Sequence, residues 1–110
     1  MKVSQLIDRL GLEVLSLPDP EAEISGGYVG DLLSWVMGRA EADQVWITIM
    51  TNINILAVAS LSGVGAVVVA ENAEVASDVK TKAQEQGINL LRSSKSAFDI
   101  AVALGRELAI

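Results

Sequence analysis

The sequence predicts a single α/β domain with a mainly parallel sheet, and one uncharged stretch carries most of that prediction. Gln44–Ala70 contains no Asp, Glu, Lys or Arg. Its two ends, Val45–Met50 and Ala66–Ala70, are rich in Val and Ile and have the length of strands buried on both faces. Between them, Ile53–Leu61 has the length of a helix. Strand, helix and strand joined by short turns form a βαβ unit with parallel strands, and helices and strands alternate from Asp31 onward.

The same stretch is long enough to raise the question of a transmembrane helix. Polar residues and glycines interrupt it, however, at Thr48, Thr51, Asn52, Asn54, Ser60, Ser62, Gly63 and Gly65. Asn52 is placed to cap the start of the predicted helix, and Gly63 to end it in a left-handed conformation. The stretch is therefore predicted to be the core of a sheet.

The N-terminal part predicts one helix and one or two strands. Apolar residues recur at helical spacing at Val3, Leu6, Ile7 and Leu10. Gly11 ends this helix, and Leu12–Leu17 follows as a strand that Pro18 and Pro20 terminate. Glu21–Ser25 is either a second short strand or an extended edge.

A glycine-rich turn, Ser25–Asp31, is predicted to lead into a short helix. Asp31 is its predicted N-cap and Gly38 its end. The apolar face of this helix comprises Leu32, Leu33, Val36 and Met37. Arg39–Asp43 then connects it to the central βαβ unit.

The C-terminal part predicts a turn at Glu71–Glu74, two helices and a strand. The first helix buries Val75, Val79 and Ala83. The strand is Ile88–Leu91, and in the loop Arg92–Lys95 either Ser93 or Ser94 caps the last helix. The residues that the last helix is predicted to bury are Ala97, Phe98, Ala101, Val102 and Leu108.

Composition narrows the function. The 110 residues suit one domain, residues 1–110, and they include no Cys and no His. Disulfides and thiolate chemistry are thereby excluded, together with the commonest general base and metal ligand. The net charge of −6 without a basic stripe argues against nucleic acid or an anionic membrane as a partner. We expect no cofactor and no metal site. The N-terminus lacks the apolar block of a signal peptide, so we expect a cytoplasmic protein.

The apolar content of 51% is high for so short a chain. A permanent subunit interface, most simply a homodimer, would account for it, and so would a tightly packed core rich in Ala and Val. Trp35, Trp46 and Met50 are the candidate interface residues, because aromatic and Met side chains are enriched at interface cores. Burial of either Trp under a neighbouring helix is the alternative.

Several short segments together resemble a known family. They are Ser25–Asp31, Trp46–Ile49, Thr51–Asn54 with Ile55–Ala59, Ala66–Glu71 and Ser93–Phe98. In these the chain resembles the DRTGG-type domains and is similar to the N-terminal domain of HPr kinase/phosphorylase. The literal DRTGG string is absent, and Ile24–Gly27 stands where its end would fall. The stand-alone form commonly carries a Gln and a His near Met50 and Asn52, and this chain has neither.

The resemblance implies a three-layer α/β/α module, usually attached to a larger protein. Known contexts are a metabolite-regulated kinase, phosphotransacetylases and pyrophosphatases with nucleotide-sensing CBS domains. It also implies a stand-alone bacterial form found alongside iron-only hydrogenase and signalling proteins. The phosphate-binding loop of the kinase, GxxxxGK[ST], does not occur here, so kinase activity is not implied.

The candidate ligand site is the edge where the parallel strands end, since ligands of open α/β sheets bind there. Four loops are predicted to meet at this edge: Gly26–Asp31, Thr51–Asn54, Glu71–Asn72 and Arg92–Ser96. Their candidate ligand-binding residues are Gly26, Gly27, Gly30, Asp31, Thr51, Asn52, Asn54, Glu71, Arg92, Ser93 and Ser94. Backbone amides at such loops bind anions, Arg92 and Lys95 could supply charge, and Asn52 and Asn54 could bind an amide or a base edge. A phosphate-bearing or nucleotide-like metabolite is the ligand that this pattern favours.

Each candidate also has a purely structural interpretation. The glycines serve a tight turn with positive φ, and the Thr, Asn and Ser residues cap helices. Asp31 is a cap rather than a base, because no second titrating group accompanies it. Asp31 and Glu71 alone are too few ligands for a divalent cation.

Three hypotheses about function follow. The first is a non-catalytic regulatory or interaction module, homodimeric, that senses a small phosphorylated metabolite or nucleotide. The second is a small enzyme or a nucleotide-holding subunit that uses Asp31 beside an anion pocket built by Gly26–Gly30. The third is a scaffold that recruits a redox (hydrogenase-associated) or signalling partner through apolar surface.

Overall fold

The computed structural model describes every residue, Met1–Ile110, as a five-stranded mixed sheet with five helices. The strands are β1 (Glu13–Ser16), β2 (Gly26–Val29), β3 (Gln44–Thr48), β4 (Ala66–Val69) and β5 (Leu90–Arg92). The helices are α1 (Val3–Leu10), α2 (Leu33–Arg39), α3 (Asn54–Ser62), α4 (Ser77–Glu85) and α5 (Ala97–Leu108). No helix is both long enough and apolar enough to cross a bilayer.

The strands lie in the order β1-β5-β4-β3-β2. Strands β2 to β5 are parallel to one another, as the sequence predicts for β3, β4 and β5. The central βαβ unit is confirmed: Val45 of β3 lies opposite Ala66 of β4, and α3 connects the two strands. Strand β1 runs antiparallel on β5, which makes the sheet mixed.

Alternate strand residues divide between two hydrophobic clusters, because side chains of a strand point to opposite faces in turn. One cluster contains Trp46, Val67, Val69 and Leu90 together with residues of α2, α3 and α4. The other contains Val45, Ile47, Val68 and Leu91 together with residues of α1 and α5. The uncharged stretch is therefore buried on both faces, as its composition indicates.

The glycine-rich segment is the main error of the secondary-structure prediction. Gly26–Val29 is an extended strand that pairs with β3, and Gly26, Gly27 and Gly30 all have negative φ. At Gly27 and Gly30 the lack of a side chain provides space, whereas a Cβ on Gly26 would meet no atom closer than 3.8 Å. A Cβ on Gly27 would lie 2.7 Å from Cδ2 of Leu104, so α5 approaches β2 closely only because this position lacks a side chain. The segment Glu21–Ser25 makes a single antiparallel bridge, between Glu23 and Lys2.

The predicted helix boundaries agree better with the structure than the predicted capping residues do. Gly11 and Gly63 end α1 and α3 in the left-handed conformation, as predicted. Leu32, not Asp31, occupies the N-cap position of α2, and the helix continues through Gly38 to Arg39. The reason is that the carboxylate of Asp31 bonds to β3 instead of to its own helix.

The last helix also departs from the prediction. Ser96, rather than Ser93 or Ser94, caps α5, and its Oγ accepts a hydrogen bond from the Asp99 amide at 3.1 Å. The side chains that α5 buries completely are those of Ile100 and Leu104. Phe98 and Val102, predicted to be buried, are respectively 74% and 36% exposed. The buried face of α5 is therefore centred on Ile100 and Leu104 and not on Phe98 and Val102.

Two Gly→Ala substitutions test the packing of α5 on β2. Gly27→Ala places a methyl group against Leu104, and we expect it to lower the free energy of unfolding by about 1–3 kcal/mol. Gly38→Ala is the matched control. It lies within α2 with no heavy atom within 4 Å of the new methyl, so we expect stabilisation by about 0.5–1 kcal/mol. Urea unfolding measures both, and a Gly27→Ala variant as stable as the natural chain would contradict the close approach.

Candidate functional site

Four segments of the predicted loops lie at one edge of the sheet, because each follows the carboxyl end of a parallel strand: Gly30–Asp31, Thr51–Asn54, Glu71–Asn72 and Ser93–Ser96. Gly26 and Gly27 lie within β2 instead. Backbone hydrogen bonds tie neighbouring loops together. The Ala70 amide donates to the Thr48 carbonyl at 2.9 Å, and the Asn72 amide to the Ser93 carbonyl at 2.8 Å. The Glu71 amide donates to the Lys95 carbonyl at 2.9 Å. We call this surface the carboxyl edge.

Asp31 fastens the end of β2 to the end of β3. Its Oδ1 accepts hydrogen bonds from the Thr48 hydroxyl at 2.8 Å and from the Ile49 amide at 2.9 Å. Thr48 Oγ1 in turn accepts from the Met50 amide at 3.1 Å. One carboxylate oxygen thus accepts the hydrogen bonds of a hydroxyl and a backbone amide at the carboxyl end of the buried strand β3.

Asp31 offers a test that separates a structural acceptor from a charge. Asp31→Ala removes the acceptor of two hydrogen bonds, and we expect a loss of about 1–3 kcal/mol in the free energy of unfolding. Asp31→Asn keeps a carbonyl oxygen, and we expect it to retain most of that stability in thermal unfolding. If both variants lost the same stability, the charge rather than the acceptor would be what matters.

The second loop lies at the start of α3. The Asn54 amide donates to Asn52 Oδ1 at 2.9 Å, so Asn52 does satisfy the start of the helix, although Ile53 occupies the N-cap position. Asn52 and Asn54 are exposed and Thr51 is half-buried. The side chains of Thr51 and Asn54 therefore remain available at a helix N-terminus, where backbone amides favour anions.

The third loop has a strained backbone. Glu71 and Asn72 have φ of 62° and 53°, in the left-handed region, and their amides bond to the loop after β5. The Glu71 side chain is exposed. Strand β3 lies between the strands that precede Asp31 and Glu71. Since that separation is about two strand spacings, or roughly 10 Å, the two carboxylates do not form a pair.

The fourth loop corrects the expectation for Arg92. This residue belongs to β5, and its guanidinium forms a two-pronged ion pair with Glu13, with contacts of 2.9 and 3.1 Å. Its Nη1 also donates to the Ala73 carbonyl. The charge of Arg92 is therefore compensated within the chain. The sequence did not reveal Glu13 as its partner, because the pairing depends on β1 lying beside β5.

Lys95 is the cation that the carboxyl edge leaves without an ion pair. The neighbouring Ser93 is buried, and its Oγ accepts a hydrogen bond from the Lys95 amide at 3.1 Å. Ser94 is exposed. Lys95 lies within the predicted loop Arg92–Ser96, and of the two cations that the sequence offered there it is the one without an ion pair.

One cavity adjoins the carboxyl edge: it lies beside α4, and its lining includes Ile53 of the loop Thr51–Asn54 together with Ser77 and Asp78. The others lie along α5, between α5 and β2, and beside α4 near Leu15. Among the candidate ligand-binding residues, Gly27 alone lines one of them. In the free chain the carboxyl edge is consequently an open surface rather than an enclosed pocket.

The three candidate interface residues lie in different environments. Trp46 has no exposed surface, and its Nε1 donates to the Gly30 carbonyl at 2.8 Å. It is a core residue, so its assignment to an interface is corrected. Trp35 is 54% exposed and stacks under the guanidinium of Arg39, 3.8 Å from the ring centroid. Met50 is half-buried against the cluster that contains Trp46.

Comparison with known proteins yields a likeness in fold. No protein-family model matches the chain, and no curated protein matches it either. It is similar to the crystal structure of the CBS and DRTGG domains of the regulatory region of Clostridium perfringens pyrophosphatase, complexed with the activator diadenosine tetraphosphate. The TM-score is 0.73 at 12% sequence identity, over 94% of this chain and 45% of that one. The chain therefore has a fold found in a regulatory region, and it spans less than half of that region.

Proposed function

We propose that the chain is a non-catalytic regulatory module that senses a small phosphorylated metabolite or nucleotide. In this proposal it is a homodimeric, cytoplasmic, bacterial domain of the DRTGG type. The observation that carries the proposal is the likeness in fold to a regulatory region that binds a nucleotide activator. The two hydrophobic clusters, one on each face of the sheet, are in keeping with the three-layer architecture of HPr kinase N-terminal domains.

The proposed binding surface is the carboxyl edge. Three features of it suit a phosphate group: the N-terminus of α3, the uncompensated charge of Lys95, and the free side chains of Thr51 and Asn54. An anion held there would face backbone N–H groups and an ammonium together. The Nδ2 group of Asn52 remains free to donate to a nucleobase or an amide of the ligand, since only Oδ1 of this side chain bonds within the chain.

The enzyme hypothesis has less support. Asp31 is the residue that it needs as a base, but its Oδ1 already accepts two hydrogen bonds that hold β2 and β3 together. The anion pocket of Gly26–Gly30 is also missing, since most of that segment is a strand. The scaffold hypothesis requires exposed apolar surface, and Trp35 and Phe98 supply some of it.

A thermal-shift panel tests the sensing proposal. The probes are AMP, ATP, diadenosine tetraphosphate and acetyl phosphate, each titrated to millimolar concentration. A ligand at about ten times its Kd stabilises the folded state by about 1.4 kcal/mol, which for a domain of this size raises Tm by roughly 6–11 °C. We expect at least one probe to produce such a rise. A flat panel at millimolar concentrations would refute sensing of this class of ligand.

Two Lys→Ala variants locate the binding. Lys95→Ala should weaken binding of the active probe about tenfold or more, because a charged hydrogen bond to phosphate is lost. Lys80→Ala is the control, since Lys80 lies on the side of α4 that faces Leu15 and the end of β1, away from the carboxyl edge. Equal losses in the two variants would indicate a general charge effect and contradict the proposed surface.

A further inference from the structure

A continuous apolar surface lies on α5 beside β2. The α5 stripe comprises Phe98, Ala101, Val102, Gly105 and Ile110, which line a shallow groove of about 500 Å³. Three of these residues also line an adjoining cleft of about 150 Å³ whose far wall is Gly27, Val29 and Ile47. The stripe is therefore continuous with the edge of the sheet. Phe98 and Ile110 are 74% and 78% exposed.

Strand β2 forms that edge of the sheet, and its outer side has no neighbour. An exposed edge strand carries backbone N–H and C=O groups that another strand can pair with. Its sequence, Gly-Gly-Tyr-Val, contains neither a charge nor a proline to discourage such pairing. The apolar stripe and the open edge thus adjoin each other on one side of the molecule.

We propose that this side is a two-fold interface with a second copy of this chain. In it, β2 pairs antiparallel with β2 of the partner subunit, and α5 packs antiparallel on its counterpart. This deepens the proposed function, because it rests on the homodimer and states which face forms it. A two-fold contact uses the same patch on both copies, so the patch must be complementary to itself.

The spacing of the elements suits this arrangement. Helix α5 covers both β2 and β3, since Leu104 lies against Gly27 and the cleft between them also includes Ile47. Adjacent strands lie about 4.8 Å apart. A helix centred between β2 and β3 is then about 5 Å from the two-fold axis, and two such helices are about 10 Å apart. Packed helices are separated by about 8–10 Å, so both contacts form together.

The charges favour a second copy as the occupant. The chain carries a net charge of −6, so two copies repel each other least when the contact face is free of carboxylates. The linings of the groove and the cleft include no Asp or Glu, and their one charged residue is Arg106. With the axis at Val102, Phe98 lies one helical turn before it and Arg106 one turn after it. Antiparallel pairing therefore places Phe98 opposite Arg106 of the partner subunit, as a cation–π contact.

The test measures molar mass by light scattering, with sedimentation velocity, from low to high micromolar concentration. We expect the natural chain to have twice the 11.6 kDa of one chain. Phe98→Lys places an ammonium opposite the partner's Arg106, and we expect it to weaken dimerisation at least about 30-fold. Phe98→Glu places a carboxylate there, and we expect the dimer to persist. Leu61→Lys, at a position 72% exposed on α3, is the control that should leave the dimer intact.

The outcomes separate this inference from the proposed function. If the natural chain stays monomeric at every concentration, both the interface and the dimeric part of the proposed function are wrong. Ligand sensing is then still tested separately by the thermal-shift panel. A dimer that resists Phe98→Lys overturns the α5 and β2 face, while the dimer itself stands. Equal dissociation by Phe98→Lys and Phe98→Glu contradicts the antiparallel pairing of the helices. Circular dichroism of each variant establishes that the monomer remains folded.

Discussion

Replacing Trp46 by Ala is expected to lower the free energy of unfolding by about 3–5 kcal/mol, a large part of the stability of a domain of this size. Trp46 is completely buried between the sheet and the helices of its cluster. Its removal leaves a cavity and also deprives the Gly30 carbonyl of its hydrogen-bond donor. The corresponding fall in Tm is roughly 15–30 °C, which thermal unfolding followed by circular dichroism measures.

The second tryptophan is the natural control. Trp35→Ala removes a half-exposed ring and its contact with Arg39, for which we expect a loss of about 1 kcal/mol or less. Urea unfolding should give the same ranking with an unchanged denaturant slope. Equal losses at the two positions would show that Trp46 is not the central packing residue of the sheet.

Replacing Asn89 by Asp is expected to cost about 3 kcal/mol or more. Asn89 is buried, and its Nδ2 donates to the carbonyls of Asp19 at 2.7 Å and Gly65 at 2.9 Å. Its Oδ1 accepts from the Asp19 amide at 3.0 Å. An aspartate would direct a carboxylate oxygen at two carbonyl oxygens, which repel it. Asn89→Ala removes the bonds without this repulsion, so we expect a smaller loss of about 1–3 kcal/mol.

The matched control is Asn54→Asp. The Asn54 side chain is exposed and makes no hydrogen bond, and a carboxylate at a helix N-terminus is favourable. We expect its effect in urea unfolding to stay within about 0.5 kcal/mol. If Asn89→Asp were no more harmful than Asn89→Ala, the amide would not be oriented as described.

The fold was largely predictable because its core lies in consecutive residues. The βαβ unit of Gln44–Ala70 follows from composition and length, and the stop at Gly63 from the conformational freedom of glycine. The strand Gly26–Val29 was not predictable in the same way. Glycines indicate a turn locally, and only the position of Leu104 in the folded chain explains why side chains are excluded there.

The candidate site was predictable in position and less so in its chemistry. The rule that parallel strands end at one edge placed the four loops together, and the structure agrees except for Gly26–Val29, which form strand β2. The roles of Asp31 and Arg92 depend on partners far away in sequence, Thr48 and Glu13. Lys95 is the cation left over once those pairs have formed. These side-chain pairs depend on the order of the strands in the sheet, which local sequence patterns do not reveal.

The central claim is that the carboxyl edge binds a phosphorylated ligand, and an NMR titration tests it most directly. Amide spectra of the ¹⁵N-labelled chain are recorded while ATP and acetyl phosphate are added separately to millimolar concentration. We predict saturable shifts for the amides of Thr51–Asn54 and Ser93–Ser96 with at least one of them, and little change for Gly87–Asn89, which precede β5 at the opposite edge of the sheet. Unchanged spectra with both ligands, or shifts confined to that opposite edge, would contradict binding at the carboxyl edge.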